Sequence, residues 1–244
     1  MIIPIYKPLG ASTHLLAKKA GQIYQAKATH TGTLDPMADG VVVVLAGEDR
    51  FKKSKLSVWK KTYKFEILWG VSTDSLDLLG LITEISAINI KCEKVEKVLP
   101  KFIGRIDQKL PKFSAKRMDG QSYFDHAKNK KDFIQKSESI KIHSLEIKKT
   151  YTITHQQLKD KLQKIKSVQG NFRQEEIIDT WTQTLDKLPT ELAISKLVTT
   201  TSKKTYVRAL IRDIAQELKI PATTYSLTRT HNGEYSIRDC ICLI

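Results

Sequence analysis

Apolar and polar positions along the chain change period several times, and each period predicts an element. Residues 13–26 (THLLAKKAGQIYQA) carry Leu15, Leu16 and Ile23 in a helical pattern, with Thr13 placed to cap it. Residues 41–46 (VVVVLA) form a continuous apolar run, the signature of a buried strand. In 62–70 (TYKFEILWG) Tyr63, Phe65, Ile67 and Trp69 alternate with other residues, which puts all four on one face of a strand. Weaker strand patterns cover 80–85 and 141–149. Residues 155–188 predict two helices, with Leu158, Leu162 and Ile165 on one stripe of the first. The second is acidic, with Glu175, Glu176, Asp179, Asp186 and Glu191 close together. Residues 206–219 give the strongest helix: Val207, Leu210, Ile211, Ile214 and Leu218 follow helical spacing, and Pro221 stops it. Short strands at 223–228 and 234–238 flank the hairpin dipeptide Asn232-Gly233. Helices and strands mix without a regular βαβ alternation. This predicts an α+β fold with a mixed, largely antiparallel central sheet flanked by helices.

Composition narrows the class. The chain has 244 residues, and its seven prolines and eleven glycines do not cluster into a linker. There is no internal repeat, and the length suits one large domain or two small ones. No stretch is long and apolar enough for a transmembrane helix, and the start MIIPIYKPLG lacks the layout of a secretory signal. The three cysteines, Cys92, Cys240 and Cys242, have neither a disulfide framework nor paired zinc spacing. They read as reduced thiols of a cytoplasmic protein.

Charge adds a partner. Lys and Arg number 41 against 26 Asp and Glu, a net +15. Such an imbalance points to a polyanion, nucleic acid or an anionic membrane surface. From Arg50 to Lys64 there are seven cations and no acid, with Phe51, Trp59 and Tyr63 interleaved. Further lysines crowd 109–149. Cations release counterions from phosphates and aromatic rings stack on unpaired bases, so the combination suits structured RNA. The membrane alternative is weaker, because no basic helix carries a strong apolar face.

The segment with chemistry in it is 30–40, HTGTLDPMADG, which leads directly into the buried 41–46 run. Pro36 biases Asp35 away from helical geometry, so a short acid is held on a stiffened loop. Taken alone, Asp35 serves a turn equally well. Asp35 and Asp39 lack the further ligands of an oxygen-rich metal shell, and no metal is expected.

This string closely resembles the catalytic motif of the TruB-type tRNA pseudouridine-55 synthases. Four further stretches match in order: Lys7-Pro8-Leu9-Gly10, Lys61-Thr62-Tyr63-Lys64, Ser202-Lys203-Lys204-Thr205-Tyr206-Val207-Arg208, and Leu227-Thr228-Arg229-Thr230. Pro111 to Gly120 matches more weakly. The resemblance covers roughly 1–150 and 196–240 and implies the pseudouridine synthase fold, with 1–244 a single catalytic domain. It implies isomerisation of uridine 55 in the tRNA T-loop: the N1–C1′ bond breaks, the base rotates and C5 bonds to C1′. It implies no cofactor, and a monomer without an obligatory protein partner.

The resemblance makes Asp35 the essential carboxylate, acting as nucleophile at C1′ or as base toward a sugar proton. Arg208 would pair with it. Tyr63 would stack on the flipped base, although a strand tyrosine also reads as core. His30 would enter the RNA loop in place of the extruded bases, or simply hydrogen-bond within its own loop. Tyr206 and Leu227 would line the base pocket. Lys7 and the basic-run residues Lys52, Lys53, Lys60 and Lys61 are expected on phosphates. The lysine-rich 109–149 segment corresponds to the family's RNA-gripping insertion. Three departures stand out. Lys204 replaces a glycine, 155–192 reads as an extra helical insertion, and the C-terminal PUA domain common in the family is not expected here. A catalytically idle RNA-binding or tRNA-folding protein is the alternative reading. The related guide-RNA-dependent class is less consistent, because it relies on partner proteins and an appended domain.

Overall fold

A computed structural model describes residues 1–87, 90–118, 121–128 and 134–243. Its framework is a nine-stranded mixed sheet. Across it run Ile2–Lys7, Ala38–Ala46, Ala222–Asn232, Lys61–Trp69, Glu191–Thr201, Ser137–Thr154 and Gly104–Lys109. Ala28–His30 adds to the 38–46 strand and Tyr235–Ser236 to the 222–232 strand. Every neighbouring pair is antiparallel except 38–46 with 222–232, where Leu227, Thr228 and Arg229 lie opposite Ala38, Asp39 and Gly40. The sheet is thus mixed and largely antiparallel, as the sequence pattern predicts.

Strand alternation decides what each face meets. Tyr63, Phe65, Ile67 and Trp69 are all buried on one face. They pack with Leu16, Ala17 and Ala20 of helix Thr13–Ile23 and with Leu210, Ile211 and Ile214 of helix Val207–Leu218. Leu68 and Ile194 point to the opposite face. There they meet Leu158 and Leu162 of helix His155–Gln163, and Ile177, Trp181 and Leu185 of helix Gln174–Leu185. These two helices therefore close the second face of the sheet. Glu175, Glu176 and Asp179 remain exposed on its outer side, away from the Tyr63 face. The 38–46 strand is buried on both sides: Val42 and Val44 join one cluster, while Val41, Val43 and Leu45 join another with Leu56. A strand covered on both sides needs no polar alternation, which accounts for the unbroken apolar run.

Several predicted boundaries move. The first helix ends at Ile23, because Gln25 turns the chain with φ +48°. Ser12, not Thr13, caps it by accepting from the Leu15 N–H at 3.4 Å, and Leu15 and Ile23 are exposed. The 80–85 strand shortens to Ile82–Ile85 and pairs with Val71–Thr73. The 141–149 pattern is the middle of Ser137–Thr154. The central sheet therefore takes 137–149 from the lysine-rich segment, and its residues 119–120 and 129–133 lie outside the described residues. The 223–228 strand extends over Ala222–Asn232, whereas its partner is only Tyr235–Ser236, followed by the tight turn Ile237–Asp239. That strand hides its period of two because it is bulged at Thr224/Ser226 and Arg229/His231. It also buries polar residues, among them Thr223, Arg229 and Asn232.

Gly40 marks where the parallel pair approaches most closely. Its φ is +109°, and a Cβ there would sit 2.2 Å from the Arg229 carbonyl oxygen. Gly40→Ala therefore carries backbone strain and a backbone clash together. We expect a loss of about 2–4 kcal/mol, read as a fall in the urea midpoint at constant slope.

Candidate active site

The 30–40 loop is fastened at almost every residue by a different part of the chain. Thr31 donates its N–H to the Val43 carbonyl (3.1 Å), and its hydroxyl accepts from the Asn232 amide (3.0 Å). Arg229 is 1% exposed; its Nε donates to the Val41 carbonyl at 2.6 Å and its Nη2 to the Gly32 carbonyl at 3.1 Å. The Thr13 hydroxyl donates to the Leu34 carbonyl (3.2 Å) and accepts from the Leu34 N–H (3.1 Å). The Gly10 N–H donates to the Pro36 carbonyl at 2.8 Å. Lys7 donates to the Ala38 carbonyl at 2.5 Å. The separated sequence stretches thus converge on one loop and hold it in a single conformation.

Asp35 stands at the centre of that loop. Its two carboxylate oxygens accept from Arg208 Nε and Nη2, each at 2.8 Å, a bidentate pair. Arg208 opens the 207–218 helix and is 4% exposed, so it is not the solvated arginine that helical periodicity alone allows. Its remaining N–H groups reach the carbonyls of Ser75 (2.5 Å) and Phe113 (3.0 Å). The carboxylate of Asp77 lies 3.7 Å from Nε. Asp77 is itself anchored, accepting from the Ser75 hydroxyl at 2.6 Å and from the Leu79 N–H at 3.0 Å. Burial opposes the arginine's charge, but the carboxylates of Asp35 and Asp77 outweigh it and raise its pKa. Burial raises the Asp77 carboxyl, against the pull of Arg208. A guanidinium fixed by carbonyls on the inside thus presents its fork outward to Asp35, whose side chain stays 27% exposed.

Asp35 opens onto a cleft of about 610 Å³. Of the predicted residues, Tyr63, Lys61, Tyr206 and Leu227 line the same cleft, with Arg208 behind Asp35. Tyr63 is 7% exposed: it is part of the core, as a strand tyrosine reads, and it also lines the cleft. Burial, and secondarily Asp35, raise the Tyr206 hydroxyl, and its N–H is held by Gln108 Oε1 at 2.9 Å. Ser54 and Ser57 bring the basic 50–64 segment to one wall. Asp39, the other acid of the loop, accepts from the Tyr6 hydroxyl at 3.3 Å.

The predicted RNA contacts divide into two groups. Lys52, Lys53 and Lys60 are exposed beside the cleft. Lys52 carries a 2.6 Å ion pair to Asp49, and Lys53 donates to Thr29 Oγ1 at 3.1 Å. Lys7 and Lys61 are drawn inside, where the structure gives them internal partners in place of phosphates. Lys7 is 0% exposed, and Lys61 donates to the carbonyls of Ser57 (2.8 Å) and Trp59 (2.7 Å). Burial pulls both ammonium groups down to about 8. His30 ends the 28–30 strand beside the cleft-lining Thr31, and burial lowers it to about 4, so it is neutral near pH 7. Trp59 packs on the hairpin turn, its ring where a Cβ on Gly233 would lie at 2.4 Å, whereas Phe51 is 72% exposed. Lys204 adopts φ +69°, so the chain keeps a glycine-like backbone with a lysine in place.

Ser75, Asp77, Glu138 and Arg229 belong to the site without being singled out for it by the sequence, and Thr13, expected as a helix cap, ties down Leu34 instead. Arg229 sits in a motif that was recognised, and its burial is the missing signal. Asp77 lies in a polar turn, 73–77, that looks like an ordinary loop.

Comparison with known proteins agrees with this geometry. The profile of the TruB family pseudouridylate synthase (N terminal domain) matches residues 18–175. A tRNA pseudouridine synthase B of Caldanaerobacter subterraneus is 31% identical over 99% of this chain, which spans 72% of that protein. The enzyme of the same name from a Caulobacter strain is 30% identical over 97% of this chain, which spans 64% of it. Among solved structures, a chain of a Cbf5-Nop10-Gar1 complex superposes with a TM-score of 0.62 at 19% identity, covering 99% of this chain and 52% of its own. A chain of an H/ACA RNP bound to a substrate RNA containing 2′-deoxyuridine gives 0.60 at 18%, covering 99% and 50%. These two likenesses speak to the fold. A matched profile across the Asp35 loop and relatives aligned along nearly the whole chain settle the assignment: the chain belongs to the TruB family of pseudouridylate synthases.

Proposed function

We propose that this chain isomerises uridine 55 in the T-loop of tRNA to pseudouridine, with Asp35 as the reacting carboxylate. The observation that carries the reading is the bidentate Asp35–Arg208 pair on the wall of a cleft roomy enough for an extruded nucleotide. A uridine inside a folded loop must leave the stack before its sugar can be reached. The cleft offers such a base the Tyr63 ring and the Leu227 side chain, and offers its ribose the outward face of Asp35. Both routes, attack at C1′ and abstraction of a sugar proton, need an ionised carboxylate held in place. Arg208 holds that carboxylate in place through a bidentate pair. His30, neutral and beside the cleft, suits stacking among bases better than pairing with phosphate. No cofactor or metal enters this chemistry, and the enzyme works as a cytoplasmic monomer. The direct test is to incubate a transcribed tRNA with the purified protein and map pseudouridine. Modification at position 55 supports the reading, and a transcript left unmodified defeats it.

Exposed lysines along 52–60 give the proposal a second consequence. Lys52→Glu, Lys53→Glu and Lys60→Glu combined should weaken tRNA affinity by more than about tenfold. They should also flatten the slope of log K against log salt by about 0.7–0.9 per lost phosphate contact. A filter-binding titration at several salt concentrations checks both. An affinity unchanged by the triple substitution would remove this segment from the RNA interface.

A further inference from the structure

Among the described residues, five cations line the cleft: Lys61, Lys116, Lys203, Lys204 and Arg229. Lys61 and Arg229 are committed to backbone carbonyls inside the protein. Lys116 and Lys204 are instead gathered by one carboxylate that also lines the cleft. Glu138 Oε1 lies 2.7 Å from Lys116 Nζ, and Oε2 lies 2.8 Å from Lys204 Nζ. The three residues come from three places in the chain: the segment after strand 104–109, strand 137–154 and the turn before helix 207–218. The lysine side chains are 37% and 55% exposed, while Glu138 is 18% exposed, so the cations face outward and the anion sits behind them. Hydrogen bonds from Lys116 and Lys204 hold the Glu138 carboxyl below its ordinary range, so it is ionised.

Lys204 occupies a backbone conformation, φ +69°, that suits glycine and that lysine rarely adopts. An exposed ion pair contributes little stability, so the bridge to Glu138 is a weak structural reason for a lysine there. The arrangement has a chemical one. A carboxylate that accepts from two ammonium groups, one on each oxygen, has the acceptor geometry and charge of a phosphodiester with its two free oxygens.

We propose that Glu138 is an internal stand-in for an RNA phosphate: it holds Lys116 and Lys204 at the cleft in the free protein and yields them to a backbone phosphate of the bound nucleotide. The inference rests on the tRNA reading above. It makes Lys116 and Lys204 phosphate-binding residues and Glu138 their competitor. An internal competitor removed is a substrate better bound, so the sign of one substitution separates this role from a structural one.

The experiment measures affinity for an unmodified tRNA transcript across a salt series, using wild-type protein, Glu138→Gln, Lys204→Gly and the double variant. Glu138→Gln should bind about two- to fivefold more tightly, the worth of one exposed ion pair expressed as a ratio. Lys204→Gly should bind more weakly by a similar factor, with a salt slope flatter by about 0.7–0.9. In the double variant the gain from Glu138→Gln should shrink, since one of the two freed cations is gone. Thermal unfolding of each variant confirms a folded protein. A Glu138→Gln protein that binds equally or more weakly overturns the inference while leaving the tRNA reading intact. A wild-type chain that does not bind tRNA at all removes both.

Discussion

Asp35→Asn is expected to abolish pseudouridine formation, by more than about 10⁴-fold, the order lost when a reacting nucleophile or its base is removed. The substitution keeps the size of the side chain and one oxygen for Arg208, so the loop stays in place. What disappears is the anion. An amide oxygen neither attacks C1′ nor abstracts a sugar proton at a useful rate, so both routes close together. The loop itself is secured by Thr13, Gly10, Lys7, Arg229 and Asn232 through hydrogen bonds that do not involve the Asp35 side chain. Affinity for tRNA should therefore survive, while single-turnover assays show no product. An Asp35→Asn enzyme retaining a tenth of wild-type activity would remove Asp35 from the chemistry. An active wild type beside a dead, RNA-binding Asp35→Asn protein would dispose of the idle-binder alternative.

The sequence disclosed the elements that obey a clean period. The 62–70 alternation and the 206–219 helical stripe both appear in place, because each packs one apolar face on a common core. It disclosed less where burial falls on polar residues. The 222–232 strand carries Thr223, Thr224, Arg229 and Asn232 inside the sheet, so alternation stops short of its true end. The same physics governs the site. Asp35 and Arg208 were legible as a motif and its partner, 173 residues apart. Asp77 was not, since a buried acid that supports an arginine looks like any turn acid until the arginine arrives beside it. Lys7 and Lys61 were read as surface cations, because lysine is rarely fully buried unless its charge is matched. Here backbone carbonyls receive both ammonium groups. Lys116 and Glu138 fall within the lysine-rich 109–149 segment, but their pairing with Lys204 is invisible in one dimension, because it joins residues 66 or more positions apart.

Removing the arginine while keeping its bulk, as in Arg208→Met, should produce the largest stability loss of any single substitution in the site, with activity lost as well. Asp77 is 4% exposed, and with Arg208 gone its carboxylate lies buried near Asp35 with no ion-pair partner among the described residues. Leaving one partner of a buried pair uncompensated costs about 3–5 kcal/mol. The carbonyls of Ser75 and Phe113 lose their donors at the same time. The pH dependence identifies the cause. The Asp77 carboxyl is already raised above its ordinary range by burial, with Arg208 the main opposing influence, so its pKa climbs further in the variant. A carboxyl raised on folding is best accommodated when protonated. Its contribution is fully present below the unfolded value and is lost as pH rises through the folded one. The destabilisation of Arg208→Met should therefore be greatest near pH 7 and shrink as pH falls toward 4, by urea unfolding at each pH. Arg208→Lys separates the two roles of the residue. It restores a cation beside Asp77 and recovers much of the stability, yet a point charge cannot reproduce the planar fork that aligns both oxygens of Asp35. That variant should fold and bind tRNA while turning over at least about a hundredfold more slowly, since misplacing a reacting group by about 1 Å costs that order. Equal losses of stability at pH 4 and pH 7 would show that Asp77 is not what Arg208 neutralises.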